Sequence, residues 1–154
     1  MDATTMRMIT IVEKLTKDYP SIAFIQGDDF HWSPEKTTIY YADDSSALLL
    51  HELGHALLDH KEYDRDVTLL AMERDAWEKA RSLPYGVEIT DDIIQDHLDS
   101  YREWLHARST CPACSATGHQ IKKFTYHCVA CGTDWRVNEA RLCGLKRYKQ
   151  KTPR

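Results

Sequence analysis

Residues 4–19 place Met6, Ile9, Ile11, Val12 and Leu15 along one side of a 3.6-residue period, and Pro20 closes the run, so the spacing predicts an amphipathic helix. Ile22 to Ile25 and Thr37 to Tyr41 are short stretches rich in branched and aromatic residues. The link between them, from Gly27-Asp28-Asp29 to Ser33-Pro34, carries turn chemistry, which predicts a hairpin or a small meander. Asp43-Asp44-Ser45-Ser46 offers several N-caps for a helix over about 46–60. A third helical pattern covers about 66–82 and is broken by Pro84 and Gly86; a fourth covers about 90–108, opened by Thr90-Asp91-Asp92. Beyond residue 109 the long periods stop, and only Ile121 to Tyr126 and Trp135 to Val137 read as β-prone. The pattern as a whole is α+β. It divides into a body over 1–108, a cysteine-bearing module over 109–140 and a tail over 141–154.

Length and composition sharpen this picture without altering it. At 154 residues, 42% hydrophobic and 29% charged, the chain has room for one domain and a small appendage, and it excludes disordered and collagen-like classes. No apolar run approaches the ~20 residues of a membrane span. The first twenty residues carry Asp2, Arg7, Glu13, Lys14, Lys17 and Asp18 and contain no signal-peptide core, so the expected location is the cytoplasm, with no membrane partner. Charge adds one feature. Residues 1–110 hold 11 Lys and Arg against 22 Asp and Glu, whereas residues 111–154 hold 9 against 2. An acidic body and a basic C-terminal module imply different partners.

The strongest chemical signal is His51-Glu52-Leu53-Gly54-His55, an H-E-x-x-H on an expected helix. The i, i+4 spacing brings both imidazoles to one face, where they can share a metal ion. Glu52 is 100° from His51 and about 60° from His55 in projection, so it can border the metal's open side as a general base without being a ligand. Leu49, Leu50, Leu53 and Leu57 supply an apolar face for the same helix. Gly54 costs about 1 kcal/mol against Ala in a helix, which makes sense if another backbone or the metal site approaches closely. A third ligand is required. His60 lies five residues after His55 and reads as a solvated helix end. Glu73 lies 18 residues after His55, and a hairpin of two helices returns its carboxylate to the imidazole pair; Glu78, on the same helix, is its rival. Asp75 and Arg74 are expected to face solvent.

HELGHALLDH followed by Glu73-x-x-Ala76-Trp77 resembles the ImmA/IrrE family of small zinc peptidases. Members pair HExxH with a downstream E-x-x-A-N-type helix motif whose Glu completes the metal site; Trp77 stands where the family usually has Asn. The resemblance covers a little over half the chain. It implies a zincin-like domain of a helix, a short sheet and two motif helices, and a protease that cleaves transcriptional repressors.

Cys111-Pro-Ala-Cys114 and Cys128-Val-Ala-Cys131-Gly132 are separated by 13 residues, the pattern of a zinc ribbon. Four thiolates leave no open position, so this second zinc is expected to be structural. His119 and His127 are spare ligands that a full thiolate set does not need, and Cys143 lies outside the pattern. Lys122, Lys123 and Arg136 with the basic tail suggest a nucleic-acid surface, with Phe124, Tyr126 or Trp135 as stacking groups; a protein-docking surface is the alternative. SprT-like proteases, which act on DNA-bound proteins, are a weaker resemblance, since their third ligand is a His.

The expected activity is therefore a zinc-dependent endopeptidase acting on a regulatory protein such as a repressor. Two zinc ions serve it, one catalytic on His51, His55 and Glu73 and one structural on Cys111, Cys114, Cys128 and Cys131. Glu52 is the base for the attacking water. Thr37 to Tyr41 is expected to be an edge strand that aligns an extended substrate. Tyr40, Tyr41, Tyr63, His97 and Tyr101 are all open as oxyanion donors. The rival reading is a nucleic-acid-binding protein with an inactive HExxH domain.

Overall fold

The computed structural model describes residues 2–141 and 144–150; Cys143 and the last four residues of the basic tail lie outside them. The chain is mixed α+β. Among the described residues there are four helices, α1 (Ala3–Asp18), α2 (Ser46–Leu57), α3 (Asp66–Arg81) and α4 (Asp91–Ser109). Seven short strands form two sheets: β1 (Ala23–Gln26), β2 (His31–Ser33) and β3 (Thr38–Tyr41) in one, β4 (His119–Lys122), β5 (Thr125–His127), β6 (Asp134–Val137) and β7 (Arg147–Lys149) in the other. No helix among the described residues is long and apolar enough to cross a membrane. The chain falls into two compact units, Met1–Lys61 with Met72–Ile94, and Glu62–Ala71 with Gln95–Arg154.

In the first unit the helix ends follow side-chain capping. Asp2 accepts the N–H of Thr5 at 2.8 Å to open α1, and Ser45 accepts that of Leu48 at 3.1 Å to open α2. Met8, Ile11 and Leu15 bury one stripe of α1, and Leu49, Leu50 and Leu53 are fully buried on α2. The sheet differs from the expected hairpin or meander. β1 and β3 are parallel, and the link between them contains β2, which pairs antiparallel with β3. The turn chemistry therefore serves β2 and β3, where Thr37 at φ 48° and its N–H to the Pro34 carbonyl close the reversal. With the order β1-β3-β2, Thr37 to Tyr41 contributes the central strand, not an edge. Both of its sides are occupied by ladder bonds, so it has none left for a substrate.

Gly54 marks the closest approach in this unit. A Cβ built there would stand 2.3 Å from the Ala76 carbonyl oxygen and 3.2 Å from the Ala76 Cα. The two helix backbones of α2 and α3 meet at this point, and only glycine fits between them.

In the second unit the buried side chains Tyr126, Trp135 and Val137 form a core with Cys111 and Cys128. Gly118 gives the Trp135 ring its place, since a Cβ there would fall 2.3 Å from the ring. Asp66 and Arg108, 1% and 2% exposed, pair at 2.7 Å, and Tyr126 and Gln120 donate further hydrogen bonds to the same carboxylate. Arg108 also donates to the Asn138 carbonyl at 2.6 Å, so neither charge is buried without partners.

Gly54→Ala separates two effects of opposite sign. Helix propensity alone predicts a gain of about 1 kcal/mol. The contact with Ala76 predicts instead a loss of about 1–3 kcal/mol, the usual cost of overpacking. Urea unfolding of the variant should show the loss; a gain would mean that the helices are free to part.

Candidate metal centres

α2 and α3 each deliver one half of a donor cluster. His51 and His55, one turn apart on α2, are 1% and 8% exposed, and Glu73 on α3 is 5% exposed. His51 Nε2 lies 2.8 Å from Glu73 Oε2, His55 Nε2 lies 3.2 Å from Glu73 Oε1, and the two Nε2 atoms are 3.1 Å apart. A tetrahedral ion with ~2.0–2.1 Å bonds needs donors about 3.3 Å apart. The three residues therefore fit a divalent cation by spacing and by chemistry, two imidazoles and one carboxylate. Trp77, one turn after Glu73 and 1% exposed, stacks on the His51 ring with centroids 4.3 Å apart and 26° between planes.

Glu52 stands beside the two imidazoles. One of its carboxylate oxygens lies within 4.8 Å of a ring nitrogen of both His51 and His55. Its Oε2 accepts the backbone N–H of Trp32 on β2 at 2.8 Å, which holds it to the strand. Burial raises its pKa above the ordinary glutamate value, partly offset by the neighbouring His55. β2, not β3, is thus the edge strand that meets the motif.

The rivals for third ligand stand elsewhere. Glu78 is exposed and paired with Arg81 at 3.4 Å. Asp75 is exposed and paired with Arg74, as expected. His60 departs from its reading as a solvated helix end: it is half-buried, and its Nδ1 lies 2.9 Å from His55 Nδ1. Burial, with the charge of His55, lowers its pKa below the ordinary imidazole value. Sequence reasoning missed it because a polar residue just past a helix end usually faces water. The remaining signal was its five-residue spacing from a ligand.

Of the oxyanion candidates, Tyr40 stacks on His31 across the β2–β3 pair, while Tyr63, His97 and Tyr101 belong to the second unit. Tyr63 there accepts a hydrogen bond from Arg141 at 3.0 Å. Burial raises the Tyr41 phenol pKa.

In the second unit Cys111, Cys114, Cys128 and Cys131 converge, with Cys111 Sγ to Cys131 Sγ at 3.6 Å and Cys114 Sγ to Cys128 Sγ at 3.5 Å. Tetrahedral zinc with ~2.3 Å bonds to sulfur needs sulfurs about 3.8 Å apart, so the four could hold such an ion. The two turns are built alike. Ser115 N–H donates to the Cys111 carbonyl and Gly132 N–H to that of Cys128, and both residues have positive φ, 65° and 77°. Hydrogen bonds from the Thr133 hydroxyl and backbone hold the Cys131 thiol down at about 6. The spare ligand His127 is engaged by Asp134 at 2.5 Å, and His119 packs edge-on against it.

No family model matches the chain, and neither a curated protein nor a solved structure matches it.

If the four sulfurs bind a cation, that cation's binding energy is folding energy for the second unit. Adding zinc to chelator-treated protein should raise the thermal midpoint reported by Trp135, and Cys128→Ser should abolish the rise. An unchanged midpoint in the unaltered chain would remove the metal assignment.

Proposed function

We propose that the chain is a zinc-dependent endopeptidase of the ImmA/IrrE type, with a zincin-like catalytic domain and a C-terminal zinc ribbon. The observation that carries this reading is the division of roles around HELGH. His51, His55 and Glu73 converge within 3.2 Å, while Glu52, beside them, is engaged by the Trp32 N–H. A purely structural ion has no use for a carboxylate so placed. His51, His55 and Glu73 would hold a zinc ion, which would supply Lewis acidity and lower the pKa of a bound water towards ~7. Glu52 accepts the proton of the attacking water at its carboxylate and returns it to the leaving amine nitrogen. β2 orients Glu52 through Trp32 and offers the strand edge closest to it. The substrate class, a regulatory protein such as a DNA-binding repressor, rests on the resemblance alone.

Glu52→Gln is expected to abolish peptide hydrolysis and leave metal content unchanged, whereas Glu73→Ala lowers zinc occupancy. Elemental analysis of the unaltered chain should find two zinc ions. Mild chelation should remove the one on His51, His55 and Glu73 first, because four thiolates close the other site. An active Glu52→Gln variant would end the general-base assignment.

A second reading concerns partner choice. Lys122, Thr125, Arg136 and Tyr148 are successive cross-strand partners, so their side chains form a row over one face of β4–β7. Lys122 and Arg136 are exposed and Tyr148 is 51% exposed, in a segment with 9 basic and 2 acidic residues. Of the expected stacking groups, Tyr126 and Trp135 are buried at 2% and 0% and Phe124 packs half-buried against their core, so the exposed Tyr148 takes that role. The row favours single-stranded nucleic acid, with phosphates on the cations and a base on Tyr148. The intact chain should bind a labelled oligonucleotide with affinity that falls steeply with salt, and Arg136→Ala should reduce the log–log slope by about 0.7. Absence of binding at low salt would leave the ribbon as a protein-docking module.

A further inference from the structure

We propose that His60 is a positioning residue for the metal centre of the first unit, fixing the tautomer and orientation of His55. The inference rests on the reading of His51, His55 and Glu73 as metal ligands.

The geometry begins with how α2 ends. His60 N–H donates to the His55 carbonyl at 3.0 Å, Asp59 N–H donates to the Ala56 carbonyl at 3.1 Å, and Asp59 sits at φ 55°. This pair of bonds around a left-handed residue is the Schellman ending, which folds the chain back so that the residue after the turn touches the one five positions earlier. That contact is usually apolar. Here it joins two imidazoles, His55 and His60, with ring centroids 5.1 Å apart and Nδ1 atoms 2.9 Å apart.

Two imidazole nitrogens at that distance form a hydrogen bond only if one carries the proton and the other a lone pair. His55 Nε2 faces His51 Nε2 and Glu73, so as a ligand it must present its lone pair there. The proton of His55 then resides on Nδ1 and is donated to the Nδ1 lone pair of His60. His60 in turn carries its own proton on Nε2. Ligating histidines commonly donate their second N–H to a carboxylate or a carbonyl, and loss of that partner typically costs 10–100-fold in metal affinity. In this chain an imidazole takes that place, delivered by backbone geometry.

The bland alternative is that His60 only packs against the end of α2. Zinc affinity of the full chain, measured by competition with a chromophoric chelator, separates the two. His60→Leu keeps apolar packing at the turn and removes the acceptor; it should weaken the weaker of two zinc sites by 10–100-fold. His60→Asn places an amide oxygen where Nδ1 stands and should recover most of the loss. Asp59→Gly, which relaxes the turn without touching the acceptor, should leave affinity unchanged. The zinc-loaded protein should also show a slowly exchanging Nδ1–H on His55 by nitrogen-resolved NMR, lost in His60→Leu. Unchanged affinity in His60→Leu, or equal losses in Leu and Asn, overturns the role of His60 alone. A wild-type chain that binds zinc only at its cysteines overturns the underlying metal centre together with it.

Discussion

Everything at the HELGH cluster depends on how closely two helix backbones approach at Gly54 and Ala76. An alanine methyl at position 54 would stand 2.3 Å from a carbonyl oxygen, so any larger residue moves α3 outward. The same helix carries Glu73 and Trp77, three residues before and one after Ala76, and both reach His51. Shifting α3 by the width of a methyl group would spoil a 2.8 Å contact and a 4.3 Å ring stack together. Packing at protein densities transmits such shifts instead of absorbing them. The propensity lost by a glycine inside a helix is small beside the interactions it permits.

The two donor clusters solve the same electrostatic problem differently. Glu73 is a carboxylate 5% exposed, and two imidazoles within 3.2 Å accompany it. Isolated ionised groups do not survive such burial. A carboxylate, two neutral imidazoles and a divalent cation together carry a single net positive charge; four thiolates and the same cation carry two negative ones. With a tetrahedral cation, three protein donors in the first set would leave a coordination position, while four thiolates in the second would leave none. Asp66 and Arg108 need no ion at all, because their charges cancel and their remaining donors and acceptors are met by Tyr126, Gln120 and Asn138.

The four helices, the Ser45 cap and the HExxH face were legible because period and capping are local properties. The approach of Glu73 to the two imidazoles was legible as well: an acid one helical hairpin away from the motif has few competitors, and Glu78 is exposed. The turn residues between 27 and 37 were ambiguous, since turn chemistry states that the chain reverses without saying which strands pair. β2 has only three residues, too few for a period-2 signal, and its presence turns an expected hairpin into a parallel pair with β3 in the middle. His60 was read as solvated because a polar residue at a helix end usually is, and nothing local in the sequence singles out Asp66 or Arg108 as a buried pair. Their burial depends on long-range partners that no local pattern contains. Tyr126 and Trp135 fail in the opposite direction: strand alternation could not tell which face of the ribbon is covered.

The two motif histidines, equivalent by sequence, are held by unlike neighbours. His51 lies flat against the Trp77 indole, and His55 is held edge-on by an imidazole at the end of its own helix. Stacking constrains the plane of the His51 ring, and the Nδ1···Nδ1 hydrogen bond constrains the rotation of the His55 ring. A large apolar ring over His51 also excludes water from that side and favours positive charge near its face. On its other side the cluster meets Glu52, which the Trp32 N–H ties to the β2 edge.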